Sequence, residues 1–85
     1  MFYTYILRSE KNGRFYTGFT SNLRKRLIQH NNGESYYTNR DKPYKLVYYE
    51  SCLCEDDARS RETYLKTGMG KRFIKNRIKG FLKME

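Results

Sequence analysis

From Phe2 to Leu7, FYTYIL, aromatic and β-branched residues fill both alternating faces of the chain, with Tyr3, Tyr5 and Leu7 on one and Phe2, Thr4 and Ile6 on the other. Such a segment predicts a strand that is at least partly covered on both sides. Lys11-Asn12-Gly13-Arg14 then carries the Asn-Gly turn signal, so the stretch from Arg14 to Phe19 should return antiparallel as the second arm of a hairpin. The pattern leaves the register open, and with it whether Tyr5 and Tyr16 share a face. Between Phe15 and Gly33 the chain reads as a short strand, a turn over Gly18 to Asn22 and a helix. Ser21 or Asn22 can cap the first turn, and Gly33 suits the left-handed position after the last one.

Glu34 to Pro43, ESYYTNRDKP, is polar and irregular: either a solvated connector or a loop whose Tyr36, Tyr37, Arg40 and Lys42 touch a phosphate or a base. Tyr44 to Ser51 predicts a third strand, whose mixed apolar faces suit a central or covered position. A helix comes next over DARSRETYLK. Gly68 and Gly70 should break it, and a last helix should run from about Lys71 to Lys83 with Phe73, Ile74, Ile78, Phe81 and Leu82 as its buried stripe. The order is β-β-α-β-α-α, and so few strands need helical cover to be stable. At 85 residues this is one domain, positions 1–85, without a linker or an internal repeat. The first residues are too short and strand-like for a signal peptide and no apolar run approaches a membrane span, so a cytoplasmic location is expected.

Charge narrows the partners. Eighteen Lys and Arg against nine Asp and Glu give +9, and the cations of a small basic body collect polyanions, nucleic acid foremost. Nine Tyr and five Phe add rings that pack a core or stack on bases. No acid lies between Lys66 and Lys83, a run that reads as a solvated face or as a phosphate track. The candidate phosphate contacts are Arg24, Lys25, Arg40, Lys66, Lys71, Arg72 and Lys75. Cys52 and Cys54 are too close in sequence for an easy disulfide and too few for structural zinc, which leaves reduced structural thiols. Glu55, Asp56 and Asp57 are placed as first-turn acids favoured by the helix dipole.

A few residues sit in unexpected places. Counting by helical spacing from Leu23 lands on Arg26, Leu27 and His30, so a cation and the chain's one histidine lie on or beside the core-facing stripe. Glu62 shares the stripe of Ala58 and Leu65, and a carboxylate facing inward needs a partner. Each has a plain structural account: His30 ending the helix, Arg26 and Glu62 as an ion pair, Tyr5 and Tyr16 as core. Together they also supply what phosphodiester hydrolysis requires, namely a ligand for a divalent cation, a cation for phosphoryl charge, and phenol or imidazole groups for protons.

Here the sequence resembles the GIY-YIG nucleases, in particular their compact single-domain bacterial members. Tyr3-Thr4-Tyr5 stands where the first signature triplet falls and Tyr16-Thr17-Gly18 where the second does. Gly18-Phe19-Thr20, Asn22-Leu23, Arg26-Leu27, His30-Asn31 and Gly33 come after them in family spacing, and Ala58, Glu62 and Lys66 resume it. Tyr3 replaces the glycine of the name-giving pattern. The resemblance implies an α/β (α+β) sandwich, a three-stranded antiparallel sheet flanked by about three helices, and a metal-dependent endonuclease acting on DNA, in repair or in processing of structured or single-stranded substrates. It implies catalytic roles for Tyr5, Tyr16, Arg26, His30 and Glu62. Glu62 would be the only protein ligand of a single Mg²⁺ or Mn²⁺, Arg26 would stabilise the pentacoordinate phosphate, and Tyr16 or Tyr5 would accept a proton with His30 as helper. The other reading is a DNA- or RNA-binding module on the same scaffold with little or no turnover. With no room for a separate DNA-reading domain, specificity should be low, or come from a partner protein or from substrate shape.

Overall fold

The computed structural model describes residues 1–84. Strands β1 (Phe2–Ser9) and β2 (Phe15–Thr20) form the expected hairpin, followed by helix α1 (Leu23–Asn31), a 3₁₀ turn at Asn39–Asp41, strand β3 (Tyr44–Cys52) and helices α2 (Glu55–Leu65), α3 (Gly68–Arg77) and α4 (Lys79–Lys83). The sheet is antiparallel in the order β2-β1-β3. Its centre is β1, where Tyr5, Ile6 and Leu7 are all buried. Tyr5 and Leu7 pack with Tyr44, Leu46, Tyr16 and the α1 residues Leu23 and Leu27. Ile6 packs on the other side with Leu65, Ile74 and Ile78, joined by Phe73, Phe81 and Leu82. Helices therefore cover both faces of this central strand.

Strand β3 lies at an edge and not at the centre, so of the two positions expected for it the covered one holds. Its mixed pattern has another cause. A register irregularity between Ile6 and Leu7 makes Ile6 pair with Tyr48 but Leu7 with Leu46, so Val47 is an extra residue. The bulge shifts the alternation by one. Tyr44 and Leu46 thus join the α1 layer, whereas Val47 and Tyr48 join the layer of α2 to α4. Beyond the bulge Glu50 meets Arg61 of α2 in a two-point ion pair at 2.9 and 3.0 Å and accepts the Tyr48 hydroxyl at 2.9 Å. Arg61 also lies over the rings of Tyr64 and Phe73.

The C-terminal helices divide differently from the expected pattern. Gly68 and Gly70 open α3 instead of separating two helices, and the break falls at Lys66 and Thr67. Thr67 is the cap, its hydroxyl oxygen accepting the Gly70 N–H at 3.1 Å. At Gly70 a Cβ would run into the Tyr64 carbonyl and the Leu65 backbone, so a bare backbone is what lets α3 leave α2 this tightly. The last helix is split at Ile78 into α3 and α4, and the bend returns Phe81 and Leu82 to the core. At the start of α2 the acids sit in the first turn as expected, with Glu55 pairing to Arg59 at 2.9 Å, and Cys52 and Cys54 are both free thiols. Among the described residues no helix is long and apolar enough to cross a membrane.

Close packing at Gly70 makes a test of this arrangement. Gly70→Ala should lower unfolding stability by about 1–3 kcal/mol in a denaturant titration. Gly80→Ala, in α4 with open space around it, should be neutral or raise stability by up to about 1 kcal/mol.

Candidate active site

The local sequence of α1 explains how its polar residues come to face the sheet. Asn22 caps the helix, its side-chain oxygen accepting the Lys25 N–H at 3.1 Å, and Gly33 closes it with φ +78°. One turn apart on the inner side lie Arg26, half-buried, and His30, completely buried. On the sheet, Leu7 pairs with Tyr16 and Tyr5 with Gly18, so Tyr5 and Tyr16 share the face beneath α1. Gly18 leaves the space that the Tyr5 ring occupies, since a Cβ there would collide with its phenol.

His30 is held from three sides by tyrosine rings, with centroids 5.1 Å away at Tyr16, 5.9 Å at Tyr5 and 6.2 Å at Tyr44. Both ring nitrogens are engaged: Nε2 lies 2.9 Å from the Tyr5 hydroxyl and Nδ1 lies 2.7 Å from the hydroxyl of buried Thr38. Burial, aided by the Arg26 charge, pulls the imidazole down to about 4, so it is neutral at physiological pH. Burial also pushes the Tyr5 phenol up to about 12, against the pull of Arg26, while the charges of Tyr16 and Glu62 add to the rise. A guanidinium can only donate. With Arg26 facing its oxygen, Tyr5 directs its own proton to His30 Nε2, which leaves Nδ1–H to donate to Thr38. The chain of hydrogen bonds runs Tyr5, His30, Thr38, with the Arg26 charge acting on the Tyr5 end.

Glu62 reaches this cluster from the opposite layer. Helix α2 packs on β1 and β2, and the Glu62 carboxylate, 20% exposed, pairs with Lys66 one turn on at 3.1 Å while its charge acts on the Tyr5 phenol. Among the described residues Arg26 does not pair with it; the guanidinium donates to the Gln29 side-chain oxygen at 3.1 Å. The purely structural ion pair weighed for these two is therefore not formed. Nor does His30 serve to end its helix, because its ring is buried and neutral.

Of the candidate phosphate contacts, Lys25 shares an open cleft with Arg26, Asn22 and Gln29, and Arg24 lies in the adjoining groove. Lys66 stands on Glu62. Lys71 and Lys75 flank, with Arg14, a separate cleft floored by Phe15, Leu65 and Ile74 on the other layer, whereas Arg72 lines a third beside Met69 and Phe73. Arg40 is exposed in the 3₁₀ turn, away from α2 and α3 in sequence and layer.

Sequence reasoning missed Thr38, which lies in the segment read as a connector or a phosphate loop and is in fact its inward anchor. It also missed Tyr44 and the Asn31 side chain that clamps it, accepting the Tyr44 N–H at 2.6 Å and donating to its carbonyl at 3.1 Å. A threonine eight residues past a histidine carries no signal of its own; the only available hint was a buried imidazole nitrogen in want of a partner.

A family model described as the GIY-YIG catalytic domain matches residues 1–79. A UPF0213 protein of Clostridium perfringens is 48% identical over 67 residues, covering 78% of this chain and 71% of the relative. Another, from Staphylococcus saprophyticus, is 41% identical over 66 residues, covering 76% and 79%. No solved structure matches significantly.

As the chain has one histidine, its titration can be read without assignment. The His30 ring resonances should stay in the neutral position down to a midpoint near pH 4, not 6.5. Because the folded pKa is lowered, the unfolded chain binds the extra proton first, and stability should fall as pH drops from about 6.5 towards 4, by at most about 1.4 kcal/mol per pH unit from this group. A His30→Gln protein should lack that part of the slope.

Proposed function

Because the chain belongs to the GIY-YIG catalytic-domain family, we propose that it is an endonuclease that hydrolyses phosphodiester bonds in DNA with the help of one divalent cation held by Glu62. One observation carries the reading: Tyr5, Tyr16, Arg26, His30 and Glu62, drawn from β1, β2, α1 and α2, act on one another electrostatically around a single phenol.

The donor set fits such a cation. Among the described residues no group of three or more His, Cys, Asp or Glu could enclose a metal, and a lone, partly exposed carboxylate suits Mg²⁺ or Mn²⁺ that keeps most of its waters. Lys66 occupies the carboxylate meanwhile and would swing to a phosphate. When bound, the cation supplies Lewis-acid polarisation of the phosphate and charge neutralisation.

The chain's own groups do the rest. Arg26, held by Gln29 at the mouth of its cleft, places a fixed positive charge where the pentacoordinate phosphate gains negative charge. Tyr5 is ill suited to take a proton at neutral pH, since its hydroxyl is raised to about 12 and committed to His30. Its part is to orient Arg26 and the attacking water. Tyr16, partly exposed on the same face, takes the proton of that water as its own passes to solvent; the water oxygen bonds to phosphorus, and the bond to the departing sugar oxygen breaks, that oxygen collecting a proton from solvent. His30, neutral and fixed, holds Tyr5 in place and is itself held by Thr38. The reading extends to repair or processing of DNA in the cytoplasm, with selectivity drawn from substrate shape or a partner protein.

Labelled single-stranded, duplex and branched DNA incubated with Mg²⁺ or Mn²⁺ tests this. Cutting should stop with EDTA and fall about a hundredfold or more in Glu62→Ala and Arg26→Ala. Tyr16→Phe should lose about 10²–10⁴ and Tyr5→Phe less. Variants that cut like the parent, or DNA that is bound but never cut by the parent, would leave a binding module in place of the enzyme.

A further inference from the structure

Tyr36 and Tyr37 are 89% and 81% exposed, their rings edge to face with centroids 5.5 Å apart. Two adjacent aromatic side chains held in water offer free ring surface for stacking. Their display is not slack. Ser35 before them is buried, and its carbonyl accepts the N–H groups of Thr38 and Asn39 at 3.3 and 3.0 Å. Thr38 after them is completely buried on His30. With both neighbours pinned inward, the two rings have no way in.

The surroundings indicate what they meet. Lys11 donates to the Arg40 carbonyl and Lys42 to the Asn39 side chain, each at 3.1 Å, so Lys11, Arg40 and Lys42 stand around the turn together with Glu10, Glu34 and Asp41, in a chain of charge +9. A flat π-face beside cations suits a nucleic-acid base with its phosphate. Bases inside a duplex have no free face to offer. We propose that Tyr36 and Tyr37 form a stacking platform for an unpaired base of a DNA strand, one residue along the chain from the threonine that anchors His30. The base lies on one ring and meets the edge of the other, so the site receives single-stranded DNA, or a single-stranded segment of a structured one. The platform rests on the nuclease reading for the fate of the bound strand, but not for binding itself.

The full chain carrying Glu62→Ala, in EDTA, separates the two. A single-stranded oligonucleotide containing 2-aminopurine, and a duplex of the same sequence, are titrated against it and against the same protein with Tyr36→Ala and Tyr37→Ala. The platform predicts fluorescence quenching with the single strand only, a loss of about tenfold or more in single-strand affinity in the double variant, and duplex affinity changed less than about twofold. Tyr36→Phe with Tyr37→Phe should bind like the parent, because rings and not hydroxyls do the work. Unchanged single-strand affinity in the alanine variant, equal losses for both DNAs, or a phenylalanine variant as weak as the alanine one would overturn it. Since no cleavage enters the titration, a platform that fails leaves the Glu62-dependent cutting assay standing, and the reverse.

Discussion

A neutral, buried imidazole joins the two halves of this molecule's chemistry. The hydrogen bonds from His30 to Tyr5 and to Thr38 tie the central strand, helix α1 and the long loop after it to one ring. Each partner depends on the others. Tyr5 lies flat over Gly18 because no side chain stands there, and its hydroxyl reaches His30 only from that position. A charged imidazole would be stranded among three tyrosine rings, and a missing Thr38 would leave a buried nitrogen unpaired. The same bonds that hold the loop therefore hold the tyrosine to which Arg26 and Glu62 are electrostatically coupled.

Around this centre the sheet acts as a divider. Arg26, His30, Tyr5 and Tyr16 belong to the α1 layer, Glu62 to the layer of α2 to α4. A carboxylate and a guanidinium are brought from opposite layers towards one phenol without pairing with each other: Glu62 rests on exposed Lys66 and Arg26 on neutral Gln29. Both resting partners are weak and solvent-reached, and so can be exchanged at little cost. Stability is assigned elsewhere, to the β1 core and to the Glu50–Arg61 pair packed against Phe73. The partition lets the polar site be built without burying an uncompensated charge.

How much of this the sequence discloses depends on the range of each interaction. The hairpin, the capped helix and the inward Arg26, His30 and Glu62 were legible because each is written in neighbouring residues, by an Asn-Gly turn, an Asn cap and a period of one helical turn. The family resemblance added which of these belong together. The sharing of a face by Tyr5 and Tyr16 was hidden, because register is decided by strand pairing and not by composition. The edge position of β3 was hidden by its bulge, which mixes two clean alternations into one that looks apolar on both sides. Gly68 and Gly70 looked like a helix break, yet at Gly70 the missing side chain serves a close contact between helices. Thr38 left no mark at all: what defines it is a ring nitrogen eight residues upstream in sequence and adjacent only in space.

Mn²⁺ titrated into the protein while proton resonances of the His30, Tyr5 and Tyr16 rings are followed tests most directly whether this cluster is a metal-assisted centre. The account predicts that these rings broaden early and selectively, and that Glu62→Ala abolishes the effect while the fold persists. Broadening centred on the acidic start of α2 at Glu55 to Asp57, or unchanged by loss of Glu62, would contradict it.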